Sequence, residues 1–118
     1  MCAQQNASLN FTFRSDTLFV SISGEIDHHS ARGIREKIDE KMFSLRPRLL
    51  ILDLGEVNFM DSSGLGLILG RLSCAEEMNC ALRLSNVTDA VMKILNFAGA
   101  DRLRGLTVEK KKEQTLCK

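Results

Sequence analysis

The sequence predicts a single α/β domain with a mixed sheet of four to five strands, an N-terminal antiparallel hairpin, β-α-β crossovers and helices packed on the sheet. Strand-like and helix-like segments alternate along most of the chain, and this order is typical of parallel strands joined by right-handed crossovers. Two strand-like segments in succession open the chain, which favours a hairpin. With 118 residues, the chain has room for one domain and one hydrophobic core.

The hairpin is predicted from two short segments with period-two alternation. Residues 9–15 and 18–23 alternate apolar and polar side chains, as strands with one buried face do. Asp16 and Thr17 supply the turn between them. We assign residues 1–7 to an N-terminal extension, in which no basic region precedes an apolar stretch, so a secretory signal is not expected.

The next segment combines a helix with a strongly apolar strand. Asp27 or Ser30 is expected to cap the helix, because a short side-chain oxygen accepts hydrogen bonds from the free N–H groups of the first turn. One helical stripe holds the apolar side chains Ala31, Ile34, Ile38, Met42 and Leu45. Residues 49–54 are almost all apolar, which is typical of a central strand buried on both faces or of a parallel strand.

Two further β-α units are predicted in the second half of the chain. Residues 55–60 are interpreted as a connection, residues 64–79 as a helix and residues 80–84 as the next strand. A third helix follows, capped by Asn86 or Thr88. Its apolar stripe consists of Val91, Ile94, Leu95 and Ala98.

The chain closes with a short strand and a basic segment. Residues 103–108 are predicted to form the last strand, so the domain is expected to span residues 8–108. Residues 109–118, which contain three consecutive lysines, are predicted to form a basic C-terminal tail that is frayed or weakly helical.

Composition argues against several classes of function. Sixteen basic residues against fifteen acidic ones leave a net charge of +1, which disfavours nucleic-acid binding driven by bulk charge. No apolar run approaches the roughly 20 residues of a membrane span. The cysteines at positions 2, 74, 80 and 117 form no C-x-x-C pair, so no metal site is expected. We therefore expect a cytoplasmic protein with reduced thiols and with neither a nucleic-acid nor a membrane partner.

Residues 59–71 hold the most unusual pattern in the sequence. Two apolar residues lead to an acid and two serines, which open a helix rich in glycine. A glycine inside a helix costs about 0.8–1 kcal/mol relative to alanine. Gly66 and Gly70 share a face with Ser73, so they form a small-residue stripe that another backbone can approach closely. The face predicted to meet the sheet consists of Leu65, Ile68, Leu69 and Leu72.

Two interpretations of this pattern are structural or nucleotide-related. In the first, Asp61, Ser62 or Ser63 is an N-cap, and the glycines allow tight packing of the helix on the sheet. In the second, the glycines form a loose dinucleotide fingerprint. That fingerprint needs its first glycine directly after a strand, yet ten residues separate Gly64 from Leu54, and the next strand does not end in an acid.

Two further interpretations give chemistry to Ser63. As a hydrolase nucleophile it would depend on His28 or His29 as the base, and the surrounding residues lack the G-x-S-x-G pattern. As a regulatory phosphoserine it would lie at a helix N-terminus, where free backbone N–H groups suit a phosphate. Phosphorylation would add about −1.5 to −2 charges beside Asp61, which an interface at this turn would sense strongly.

Two sequence blocks resemble one family. Residues 59–71 resemble the phosphorylation motif of the anti-sigma factor antagonists, which carry the STAS domain, and are most similar to its sporulation members. Residues 24–31, Gly-Glu-Ile-Asp-His-His-Ser-Ala, resemble a second block of the same family. The order and separation of the blocks agree with the family, and so does the predicted order of strands and helices. The resemblance covers roughly residues 8–108.

The resemblance implies a regulatory binding protein and kinase substrate, and not an enzyme. In the family, the second serine of the Asp-Ser-Ser-Gly motif is phosphorylated by the anti-sigma factor, itself an ATP-dependent serine kinase. The unphosphorylated antagonist binds that factor and frees the sigma factor, the phosphorylated form does not bind, and a serine phosphatase restores it. No cofactor is implied, since ATP and magnesium belong to the partner kinase. The phosphorylated residue corresponds to Ser63, and the partner-binding residues correspond to Asp27, Asp61, Ser62, Ser63 and Gly64.

A function of another class stays open. Some STAS-type sensory modules bind a small ligand, and here a nucleotide or other ligand would bind at the helix N-terminus near Ser63. Thermal stabilisation by such a ligand with no kinase present would favour this function. A gain of one phosphate after incubation with the kinase and ATP would favour the switch.

Overall fold

The computed structural model describes residues 7–112, which form five strands, three α-helices and one 3₁₀ turn. The strands are β1 (Ala7–Arg14), β2 (Thr17–Ile26), β3 (Leu49–Met60), β4 (Ala81–Val87) and β5 (Leu106–Lys110). The helices are α1 (Ala31–Leu45), α2 (Ser62–Glu77), α3 (Asp89–Ala98) and the 3₁₀ turn Ala100–Arg102.

The five strands form one mixed sheet in the order β1-β2-β3-β4-β5. β1 pairs antiparallel with β2, and the other three neighbouring pairs are parallel. The predicted hairpin and β-α-β crossovers are therefore confirmed. Each crossover steps to the next strand in the same direction, and right-handed crossovers of that kind place all their helices on one face of the sheet.

The core lies between that face and the three helices. Alternate positions of the parallel strands are fully buried there, and they include Leu18, Val20, Ile22, Leu50, Leu52, Leu54, Leu82 and Leu84. Among residues 7–112, no helix lies over the other face of the sheet. Of the two interpretations of residues 49–54, the parallel strand is therefore the one confirmed, since β3 pairs parallel with β2 and β4. Ile51 is nevertheless only 9% exposed, because Phe19 and Arg83 flank it in register on β2 and β4.

β3 is twice as long as expected and supplies the part of the sheet that matters most for the site. Residues 55–60, predicted as a connection, continue the strand. Pairing of β3 with β4 ends at Asp53, whereas pairing with β2 resumes after a register shift and continues to Met60. Because this extension has one neighbour only, its polar residues remain exposed, and their polarity in the sequence suggests a loop.

Smaller differences occur toward the C-terminus. Thr88 is the cap of α3, with its Oγ1 accepting from the Val91 N–H at 3.3 Å, while Asn86 belongs to β4. The last strand begins at residue 106, because residues 104–105 form a turn after the 3₁₀ segment. It continues to Lys110, two residues past the expected end of the domain. Lys111 donates from Nζ to the Gly55 carbonyl at 2.9 Å, so the basic segment starts on the domain surface.

The rest of the predicted tail, residues 113–118, lies outside the described residues, as do residues 1–6 of the predicted N-terminal extension.

The one-sided burial of the sheet predicts unequal effects of substitutions on its two faces. Leu52→Ala, in the core, is expected to cost about 2–5 kcal/mol of unfolding free energy, since it removes fully buried methyl groups and leaves a cavity. Phe19→Thr, on the open face, is expected to cost about 1 kcal/mol or less, because Phe19 is 42% exposed and threonine suits a strand. Chemical denaturation measures both. Equal losses would mean that both faces are covered.

Candidate functional site

The site is built where β2 and β3 end side by side. Ile26 and Met60 are the last paired residues of these parallel strands, and the Asp61 N–H donates to the Ile26 carbonyl at 3.3 Å. The residues that follow each strand therefore emerge at the same edge of the sheet. One connection begins with Asp27 and leads to α1, and the other begins with Asp61 and leads to α2.

Asp61 fixes the first turn of α2. It has an extended backbone, and its Oδ1 accepts from the Ser63 N–H at 2.8 Å. Of the three predicted caps, Asp61 is thus the N-cap, and α2 begins at Ser62 rather than near Gly64. Ser62 is exposed and Ser63 is half-buried in the first turn. Within residues 7–112, the Ser63 backbone N–H is bonded to Asp61, and no hydrogen bond engages the Ser63 hydroxyl.

The Asp27 turn is held by a reciprocal set of hydrogen bonds. The Asp27 Oδ1 accepts from the N–H groups of His29 and Ser30, at 2.9 and 3.0 Å. The Ser30 hydroxyl donates to the Glu25 carbonyl at 2.8 Å and accepts from the Asp27 N–H at 3.0 Å. The hydrogen bond from Ser30 is the main reason that the pKa of Asp27 is lowered. A fixed, ionised carboxylate therefore lies at the same edge as Ser63.

Gly64 lies directly over the strand ends. It is buried, and a Cβ at this position would collide with Cγ of Met60, lie 2.8 Å from its Sδ and lie 3.1 Å from Cγ2 of Ile26. The absence of a side chain lets α2 start in contact with the ends of β2 and β3. Gly64 therefore shapes the site by setting the height of the first helical turn above the sheet.

The stripe of Gly66 and Gly70 behaves differently. No atom lies within 4 Å of a Cβ built at either position, so the expected close approach of a backbone does not occur within the described chain. The buried face of α2 also differs from the predicted one, since Leu65 and Leu69 are only half-buried. The residues that are buried are Gly64, Leu67, Ile68, Arg71, Leu72 and Ala75.

Arg71 is the residue of this region that reasoning from the sequence missed. It is 4% exposed, and its Nε lies 2.9 Å from the Asp39 Oδ1 on α1. An arginine is seldom buried, so the apolar pattern alone assigns it to the outer face. Its spacing of four residues from both Leu67 and Ala75 is the signal that places it on the buried stripe.

The geometry also bears on the nucleotide and hydrolase interpretations. β3 ends at Met60, so Gly64 follows the strand more closely than the sequence suggested. Gly66 and Gly70, however, lie inside α2 and not in the turn from strand to helix, where a dinucleotide fingerprint needs its glycines.

His28 and His29 are exposed and lie edge to face with each other, with ring centroids 5.5 Å apart. Neither ring forms a hydrogen bond to Ser63 in the described part of the chain.

Between residues 7 and 112, no helix is both long enough and apolar enough to cross a membrane. In the same range, no three His, Cys, Asp or Glu side chains are grouped so that they could hold a metal ion. Cys74 and Cys80 are free thiols, and burial raises the pKa of the Cys80 thiol.

Comparison with known proteins assigns the chain to a family. The family model of the STAS domain matches residues 8–114. The chain belongs to the STAS domain family. The single mixed sheet, the N-terminal hairpin and the three helices are the architecture of that fold, as the resemblance implied.

Relatives of this STAS domain include anti-sigma factor antagonists. An anti-sigma F factor antagonist of Paenibacillus polymyxa is 32% identical over 94 residues, which cover 80% of each chain. The unphosphorylated form of the anti-sigma factor antagonist SpoIIAA is 28% identical, with a TM-score of 0.67 over 92% of this chain and 90% of that one. The phosphorylated form of SpoIIAA, a Bacillus cell fate determinant, is also 28% identical, with a TM-score of 0.67 over 86% and 90% of the two chains. The resemblance to the sporulation members of the family is confirmed.

Replacement by alanine is expected to destabilise the protein at Gly64 and to stabilise it at Gly66 and Gly70. Gly64→Ala should destabilise the protein by about 1–3 kcal/mol, because the new methyl group overpacks the contact with Met60. Gly66→Ala and Gly70→Ala should each stabilise it by about 0.5–1 kcal/mol, because the methyl group enters open space and alanine favours a helix. Thermal and urea denaturation of the three variants test this. A destabilised Gly66→Ala protein would show that the chain covers this stripe.

Proposed function

We propose that this chain is an anti-sigma factor antagonist whose binding to an anti-sigma factor is switched off by phosphorylation of Ser63. The observation that carries the proposal is the position of Ser63, half-buried in the first turn of α2, where its N–H donates to Asp61 and the turn that holds Asp27 lies at the same edge of the sheet. The names of the relatives support the choice of partner. The two solved forms of SpoIIAA support phosphorylation as the signal.

The chain acts as substrate and binding partner, not as catalyst. Ser63 supplies an Oγ nucleophile that attacks the γ-phosphorus of ATP held by the anti-sigma factor kinase. The bond from that phosphorus to the bridging oxygen breaks, ADP leaves, and the hydroxyl proton passes to a base of the kinase. ATP and magnesium belong to the partner, so this chain needs no cofactor of its own. A serine phosphatase returns the chain to its binding state, and the exchange takes place in the cytoplasm, where ATP is supplied.

The phosphate is expected to act on the interface and not on the fold. At the N-terminus of α2, free N–H groups favour an anion by about 0.3–1 kcal/mol. The same phosphate adds nearly two negative charges close to Asp61 and Asp27, whose carboxylates are already held by backbone N–H groups. Docking would require these negative charges to be desolvated against the partner. Their desolvation costs more free energy than the desolvation of a neutral hydroxyl.

The five predicted residues have different roles in the proposed interface. Asp61 and Gly64 set the position of the first turn of α2, through the cap and through the close contact with Met60. Asp27 presents a fixed negative charge that a basic group of the partner can pair with. Ser62 is exposed and contributes surface, whereas Ser63 contributes the reactive hydroxyl.

Substitution of the two serines tests the assignment. Ser63→Ala is expected to abolish phosphorylation by the cognate anti-sigma factor and ATP while retaining binding, because only a hydroxyl is lost. Ser62→Ala, the matched control, is expected to gain one phosphate as the parent does. Intact mass spectrometry measures the modification, and titration calorimetry measures the binding.

Two outcomes would contradict the proposal. If Ser63→Ala still gains a phosphate and Ser62→Ala does not, the phosphorylated residue is Ser62 and not Ser63. A parent protein that neither binds the anti-sigma factor nor accepts phosphate, but is stabilised against heat by a nucleotide alone, would favour a ligand-binding sensory module in place of the switch.

A further inference from the structure

Arg71 is the one charged side chain that is buried within residues 7–112. Its Nε lies 2.9 Å from the Asp39 Oδ1, but off the line of the N–H bond, so the contact is an ion pair and not an aligned hydrogen bond. Its Nη2 lies 3.8 Å from the Cys74 sulfur, and its Nη1 has no partner in the described chain. The Asp39 side chain retains 27% of its exposure.

This arrangement is a poor source of stability. The guanidinium has lost its water and has regained one ion pair and one weak sulfur contact. Desolvation of a buried ion pair offsets much of its Coulomb attraction, and replacement of both partners by apolar residues of similar volume is often neutral or stabilising. A role in positioning accounts better for a charge at this depth, since an ion pair prefers one geometry whereas apolar contacts are non-directional.

The Arg71–Asp39 pair joins the two helices that follow the turns of the site, α1 after Asp27 and α2 after Asp61. Asp39 lies eight residues after the start of α1 at Ala31, and Arg71 lies eight residues after Ser63. At 1.5 Å per residue, both are about 12 Å along their helices from the edge that carries the site. Only three residues separate Asp27 from α1, so a sliding movement of α1 would displace the Asp27 turn.

The first turn of α2 is anchored independently. Gly64 contacts the strand ends, and Asp61 caps the helix. The apolar side chains that hold α1 on the sheet, Ile34, Ile38 and Met42, do not by themselves fix its axial position. The Arg71–Asp39 pair therefore supplies a directional contact that holds α1, and with it Asp27, in register with α2.

We propose that Arg71 and Asp39 are positioning residues that hold the Asp27 turn at a fixed place beside Ser63, so that the two present one surface to the partner. The part that concerns the partner rests on the function proposed above. The part that concerns the relative position of the two turns is a property of the free protein and can be measured without any partner.

The experiment compares the double variant Arg71→Met/Asp39→Leu with the parent and with a matched control. The control is Arg83→Met/Glu109→Leu, which makes the same change at an exposed pair, 3.8 Å apart, on the open face of the sheet. Both double variants are expected to unfold cooperatively at a temperature no lower than that of the parent. The single variant Asp39→Leu, which leaves the arginine buried and unpaired, is expected to melt at a lower temperature.

Backbone amide chemical shifts of the free proteins give the deciding result. In Arg71→Met/Asp39→Leu, the amides of residues 27–30 are expected to move more than those of residues 61–64, which Gly64 and Asp61 anchor independently. Affinity for the anti-sigma factor is expected to fall by about tenfold. The control should leave both unchanged. Unmoved amides at residues 27–30 in a stable double variant would overturn the positioning role. So would a loss of affinity that merely follows a lower melting temperature. Failure of the parent to bind would count against the proposed function alone, since the amide shifts do not depend on it.

Discussion

The pairing of the last residues of β2 and β3 is the constraint on which the rest of the site depends. Once β3 has separated from β4, it stays with β2 as far as Met60, so the two strands end together. This common end brings Asp27 next to Asp61, and its last residues, Ile26 and Met60, form the surface that Gly64 packs against. Every later feature of the site follows from that shared edge, including the cap of α2 and the position of Ser63.

The edge of the sheet that carries Asp27 and Asp61 is acidic. Two carboxylates are held in fixed positions by backbone N–H groups, and the hydrogen bond from Ser30 keeps Asp27 ionised. Ser63, which carries a neutral hydroxyl, lies beside Asp61 in the first turn of α2. The unmodified edge can pair with basic groups of a partner, and one added phosphate changes its charge by more than either carboxylate contributes. Under the proposed function, a single modification is enough to reverse the balance between pairing and desolvation.

Much of this arrangement could be predicted from the sequence, and the exceptions have physical causes. Period-two and helical patterns identified the hairpin, the three helices and their order, because those elements bury one face each. The extension of β3 through residues 55–60 was missed because a strand with one neighbour has no need of apolar residues on its exposed side. The buried Arg71 was missed because its charge is matched by Asp39, which is distant in the sequence. The open stripe at Gly66 was assigned a contact that the fold does not make.

The central claim is that phosphorylation of Ser63 acts at the interface while the fold is preserved. The most direct measurement determines melting temperature and affinity for the anti-sigma factor on the same preparations of the parent and the phospho-Ser63 protein. We expect melting temperatures that agree closely, because the helix N-terminus accommodates the anion, and an affinity more than about tenfold weaker for the phosphorylated form, because like charges are brought together. Equal affinities, or a phosphorylated protein that fails to bind only because it has unfolded, would contradict the account.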